Sequence, residues 1–142
     1  MIDFSRLYLC SAHERIARIR RGVPARELMA VASAMGIHAD ALIDSLNFPR
    51  AEVERRARND ENLPLDQSER MLGIEYLIGQ VASMVDESGN PENFDAAAWM
   101  GAWLFSPLPA LGYETAASFL DTAEGQRVVS NLLAMAQSGA YA

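Results

Sequence analysis

Lysine is absent from this chain: all twelve cationic side chains are arginine, against nineteen acids in 142 residues. Cysteine is nearly absent too. A single Cys10 excludes a disulfide framework, and it reads as a small buried hydrophobe in a reducing compartment. The only two histidines, His13 and His38, form no set at metal-ligand spacing, so no metal is expected. There is no Gly-rich phosphate loop and no Ser/His/Asp or Cys/His arrangement. Cys10 and His13 lie three apart, which reads as accident rather than nucleophile and base. No catalytic residue and no cofactor is therefore expected. Alternating runs of β-branched residues are missing, which excludes a sheet-built fold. The first residues have no basic lead before an apolar run, so no signal peptide is expected. One long uncharged run, Ala96–Tyr113, approaches a membrane span in length, but Pro107 and Pro109 break it. A soluble, cytoplasmic protein with no membrane contact is the expectation.

What is present is apolar and helical. Half the residues are hydrophobic and 22% are charged, enough for a buried core and too ordered a composition for a disordered chain. Charge is distributed unevenly. Residues 1–59 hold ten Arg against seven acids, and residues 60–142 hold two Arg against twelve. The first part is thus suited to a polyanion and the second is not. No charged side chain follows Arg127, and the sequence runs neutral to Gly-Ala-Tyr-Ala at residues 139–142. Apolar groups left in water forgo roughly 25 cal/mol per Å² of burial. Such an end needs something to cover it, either its own domain or another molecule.

Helix signals follow one another along the chain. Leu7, Ile16 and Ile19 suggest a first helix from about Phe4 to Arg20, ended by Gly22. Leu28, Val31, Ala32 and Met35 then mark the inner face of a helix over Pro24–Met35, stopped by Gly36. A short helix Ala39–Leu46 is followed by Asn47-Phe48-Pro49 and a second short helix, Arg50–Arg58. Two brief helices joined by about three residues, the turn beginning on a residue that tolerates positive φ, make a helix-turn-helix. With Val53 and Ala57 inward, the second helix points Arg50, Ala51, Arg55, Arg58 and Asn59 outward. Arginine there can take phosphate oxygens or reach guanine in the major groove, which nominates these five residues as a DNA-binding surface.

Asn59–Pro64 reads as a linker, dividing the chain into residues 1–62 and 63–142. Beyond it, Asp66 is placed to cap a long helix ending near Glu87, with Met71, Ile74, Ile78, Val81 and Val85 along one seam. That stripe, or the first helix, can also serve a two-fold contact. Asn90-Pro91 suits the start of the next helix, which carries Phe94, Trp99, Trp103, Leu104 and Phe105; its stacked tryptophans are assigned to the core. Pro107 and Pro109 stiffen the connection that follows. Asp121 and Glu124 read as a reciprocal cap for a last helix with Val128, Val129, Leu132, Leu133 and Met135 mostly inward. Gly139 can then turn Ala140, Tyr141 and Ala142 away from the helix axis.

These residues in this order resemble the Xre-type antitoxins, the partners of RES-domain toxins that include the ParS and MbcA antitoxins. The resemblance rests on Trp103, Pro107, Ala110, Leu111, Gly112, Thr115, Leu120, Asp121, Thr122, Gly125, Gly139, Tyr141 and Ala142. Upstream it rests on the turn Leu46–Arg50 and on Leu63–Arg70, and it spans about residues 22–142. It implies an all-α chain, with an Xre-like helix-turn-helix in 1–62 and a helical toxin-binding domain in 63–142. It further implies a non-enzymatic inhibitor of an NAD-targeting RES toxin, whose active site would be plugged by Gly139, Ala140, Tyr141 and Ala142. Binding of operator DNA, autoregulation of the operon, and a homodimer within a larger complex with the toxin complete what it implies.

The sequence departs from the family pattern in several places. Leu108 stands where Asn is common, Tyr113 where Gly is, and Ala116 where Pro follows the threonine. Asn47 replaces the usual glycine of the turn, and His38 holds a capping place often taken by Ser. The alternative is a free-standing helix-turn-helix repressor with no toxin partner.

Overall fold

Short polar side chains set where half of the described helices begin, and the others follow a proline or His38. A computed structural model describes residues 2–89 and 92–138. Among the described residues it contains eight α-helices and no strand: α1 Phe4–Leu9, α2 Ala12–Arg21, α3 Ala25–Met35, α4 Ala39–Leu46, α5 Arg50–Arg58, α6 Leu65–Glu87, α7 Ala96–Leu104 and α8 Ala123–Ser138. The all-α expectation holds.

The single N-terminal helix expected over residues 4–20 is two. Asp3 caps α1 by accepting from the Arg6 N–H at 3.0 Å, and Ser11 caps α2 by accepting from the Glu14 N–H at 3.1 Å. The break at Cys10–Ser11 lets α1 fold back onto α6. There Gly79 allows close approach: a Cβ on it would fall on the Phe4 carbonyl oxygen. Arg15 fixes the corner by donating to the carbonyls of Leu7, Tyr8 and Cys10, and its guanidinium lies 5.0 Å from the Tyr76 ring centroid.

Helices α3, α4 and α5 form the next unit as expected. Gly36 and Asn47 both take left-handed backbone, with φ of 70° and 58°. Leu28, Val31, Met35, Leu42, Ile43, Leu46 and Val53 are buried between the three helices. Arg70 of α6 ties this unit down: it donates to the Leu46 carbonyl at 2.7 Å, and its guanidinium lies 4.9 Å from the Phe48 ring centroid. Ser68 adds a buried link by accepting from the Val23 N–H at 2.9 Å and donating to the Leu63 carbonyl at 3.0 Å.

The long helix α6 is the common wall, with Met71, Ile74, Ile78 and Val81 buried as expected and Val85 partly exposed. Asp66 does not cap it; it sits in the first turn and pairs with Arg70 at 3.2 Å. Helix α7 starts later than Asn90-Pro91 suggested, because Asp95 caps it by accepting from the Ala98 N–H at 3.0 Å; Asn90 and Pro91 themselves lie outside the described residues. It crosses α3 at Gly101, where a Cβ would fall on the Met35 carbonyl oxygen. The cap of α8 is Thr122, whose hydroxyl accepts from the Gly125 N–H at 2.9 Å, rather than Asp121. Gln80 and Ser130 then lock α8 to α6: Gln80 Nε2 donates to the Ser130 carbonyl at 3.0 Å, and Ser130 Oγ donates to Gln80 Oε1 at 2.7 Å. Buried side chains from Leu7 to Leu133 belong to one core, drawn from both sides of the 62/63 boundary.

Candidate functional site

Helix α5 presents Arg50, Ala51, Arg58 and Asn59 to solvent, leaves Arg55 partly exposed, and buries Val53. The outward set expected from the helical spacing is thus on one surface. Its charges, however, are already engaged. One Arg50 guanidinium nitrogen lies 2.9 Å from each Asp44 carboxylate oxygen, and a second approaches Asp40 at 3.7 Å. Arg55 donates to Glu52 at 2.8 Å and approaches Glu61 at 3.5 Å. Arg56 donates to the same Glu52 at 2.8 Å and to the Asn62 carbonyl at 2.9 Å. The hydrogen bond to Asp44 raises the pKa of Arg50, and the bond to Glu52 raises that of Arg55; Arg55 in turn lowers that of Glu52. Arg58 is exposed and its side chain makes no hydrogen bond or ion pair among the described residues. Between residues 39 and 62 there are four arginines and six acids, so this is no open basic patch.

A second polar cluster, not visible in the sequence pattern, lies where α2, α3 and α6 meet. Arg18 Nη2 donates to both oxygens of Glu27, at 2.9 and 2.8 Å, and lies 3.8 Å from Glu75. Glu75 is fully buried, and neither of its oxygens has a hydrogen-bond partner. Burial first, and the neighbouring Glu27 carboxylate second, push its pKa up to about 9, so it is protonated at neutral pH. Arg18 and Glu27 also line a cleft of about 520 Å³ with Asp3, Arg6, Glu14 and Arg21. Both charge signs alternate along its wall, which suits no single class of ion.

The third feature is the outward side of α7. Ala97, Met100, Gly101 and Leu104 face the core, and the larger Trp99 and Phe105 are each 38% exposed. Trp99 and Trp103 stack with ring centroids 5.6 Å apart and planes 14° from parallel. The tryptophans therefore do not both belong to the interior: Trp103 packs against the core's edge, and Trp99 lies outside it. In the same way Val128 and Met135 of α8 are exposed rather than inward, while Val129, Leu132 and Leu133 are buried. Downstream, Tyr113 takes φ of 68° and is 72% exposed. The last four residues, Gly139, Ala140, Tyr141 and Ala142, lie outside the described residues.

Residues 14–75 match the model of the antitoxin Xre-like helix-turn-helix domain, and residues 92–139 match that of the antitoxin Xre/MbcA/ParS C-terminal toxin-binding domain. The chain is also 43% identical, over 139 residues, to the Prs ADP-ribosylating antitoxin of Sphingobium sp. (strain YBL2), covering 98% of this chain and 87% of that protein. The chain belongs to the Xre/MbcA/ParS antitoxin family. The stretch matched as helix-turn-helix contains α4, the Asn47–Pro49 turn and α5, and the matched toxin-binding region begins just before α7 and runs through α8. That region includes the stacked tryptophans. No helix among the described residues of the antitoxin is long and apolar enough to cross a membrane.

Proposed function

We propose that this antitoxin acts in the cytoplasm on a RES-domain toxin that consumes NAD, and that it does so without catalysis of its own. Its last four residues, Gly139–Ala142, enter the toxin's active site. The tyrosine supplies an apolar ring with a hydroxyl that the toxin's site can cover and hydrogen-bond. The name of the Sphingobium relative ties that protein to ADP-ribosylation of Prs, which favours ADP-ribosyl transfer over simple NAD breakdown as the chemistry held in check. The observation that carries the reading is the toxin-binding domain matched through Gly139, leading into a terminus with no charged side chain after Arg127.

Residues 1–62 have the complementary role. Through Arg50, Ala51, Arg55, Arg58 and Asn59 they contact the operator of the antitoxin's own operon, as a homodimer, while 63–142 hold the toxin. The test is co-expression of the toxin with the full chain and with a chain ending at Ser138. The full chain restores growth and the shorter one does not; equal rescue by both removes the plug.

A further inference from the structure

The tail is too small to hold a toxin by itself. A four-residue peptide exposes only about 500–600 Å² even if every atom is covered, whereas a stable, specific interface takes about 800 Å² from each partner. The remaining contact needs a second apolar surface on the antitoxin.

We propose that the outward face of α7, centred on Trp99 and flanked by Phe94 and Phe105, is a docking platform for the toxin, distinct from the tail. This inference rests on the antitoxin–toxin reading above. Three observations place it there. Trp99 is stacked on Trp103, whose other side packs on the core, so the exposed ring is held flat and loses little rotamer freedom on binding. The exposed positions of the helix, Ala98, Trp99 and Ala102, and Phe105 just after it include no polar side chain. Such a face is unusual for a solvated helix of only two and a half turns or so. The surrounding charge selects the occupant. From Met71 to Gln126 there is no basic side chain, Glu92, Asp95, Glu114 and Asp121 are all exposed, and only Arg70, itself paired with Asp66, reaches the Asp121 carbonyl. A second copy of this chain would set an acidic rim against an acidic rim. The partner that fits has an apolar centre ringed by Arg and Lys, and the toxin is assigned that surface.

The experiment measures calorimetric affinity for the operon's RES-domain toxin, using the full antitoxin and the chain ending at Ser138, each with Trp99, Trp99→Phe and Trp99→Glu. Leu9→Ser on α1, another exposed apolar position, is the control. The shortened chain with Trp99 still binds the toxin, although it no longer inhibits. Trp99→Glu weakens binding at least tenfold in both backgrounds, Trp99→Phe changes it less than threefold, and Leu9→Ser leaves it unchanged. Melting temperatures and operator binding of the variants stay at the parent values. The proposal is overturned if the shortened chain has no measurable affinity, if Trp99→Glu binds as its parent does, or if Trp99→Glu only alters the antitoxin's own sedimentation. Inhibition by the shortened chain would instead remove the plug and leave the platform standing.

Discussion

Arg50 closes on Asp44 across the helix-turn-helix, one guanidinium nitrogen lying 2.9 Å from both carboxylate oxygens. The pair joins the first residue of α5 to the last turn of α4, and Glu52 does the same for Arg55 and Arg56 within α5. To meet a phosphate, Arg50 and Arg55 must first exchange an internal carboxylate for it, whereas Arg58 need not. Exposed pairs of this kind are screened by salt, so the exchange is easy but not free.

Operator affinity should therefore respond in opposite directions to the two halves of these pairs. Arg55→Ala with Arg58→Ala lowers affinity and flattens the salt dependence, while toxin binding is unchanged. Glu52→Gln removes the carboxylate that Arg55 and Arg56 share and raises affinity with a steeper salt slope. Salt titrations of operator binding report both; identical slopes for all variants would count against these contacts.

Glu75 gives a pH signature to folding. Its pKa in the folded chain, about 9, lies above its unfolded value near 4.5. Below the unfolded value the group is protonated in both states and costs nothing. As pH rises from there towards 9, only the unfolded chain releases the proton, so wild-type stability falls by at most about 1.4 kcal/mol per pH unit from this group. Glu75→Gln removes that slope, and the variant should be the more stable protein at pH 8 with little difference at pH 4.5. Urea melts across this range measure the divergence.

Gly101 sets how closely α7 lies on α3, and with it the position of the toxin-binding region on the helix-turn-helix unit. Gly101→Ala forces the methyl onto the Met35 carbonyl. Overpacking of this kind costs about 1–3 kcal/mol, which should appear as a lower midpoint in denaturant melts. Gly36→Ala is an informative companion: its Cβ meets nothing within 4 Å, so any loss there comes from the positive φ alone.

Tyr113 holds φ of 68°, in a place where the family commonly has glycine. A side chain in left-handed backbone costs roughly 1–2 kcal/mol, and glycine relieves it at some loss of unfolded-state order. Tyr113→Gly should raise the melting temperature by about 1–4 °C. A fall in toxin affinity in the same variant would show that the strain is kept for the exposed ring.

The parts of the fold that were legible are those where one residue type has one physical use. Gly36 and Asn47 mark left-handed stops, and the spacing of Leu28, Val31, Ala32 and Met35 marks an inner face. Caps were misassigned where two candidates stood side by side. Thr122 beats Asp121 and Asp95 beats Asn90-Pro91, because the helix start is fixed by where the following turn can pack. Ser11, with Glu14 three residues on, starts a new helix inside what the apolar periodicity of Leu7, Ile16 and Ile19 reads as one. The spacing of the tryptophans, four apart on one face, points to the core, and only Trp103 packs against it. In α7 the close crossing at Gly101 buries Ala97, Met100 and Leu104, and it leaves Trp103 at the edge and Trp99 outside. The pairing of Arg50 and Arg55 with acids one turn away was open to reading from i, i+3 spacing and from the helix-turn-helix geometry. The Arg18–Glu27–Glu75 cluster joins three helices and has no local signal.

The most direct measurement is the toxin's NAD turnover at saturating antitoxin, comparing the full chain with the chain ending at Ser138. Complete inhibition by the full chain, with substantial turnover remaining under the shortened one although it still binds, is the result expected of a terminal plug. Equal inhibition by both would place the block elsewhere on the antitoxin and contradict it.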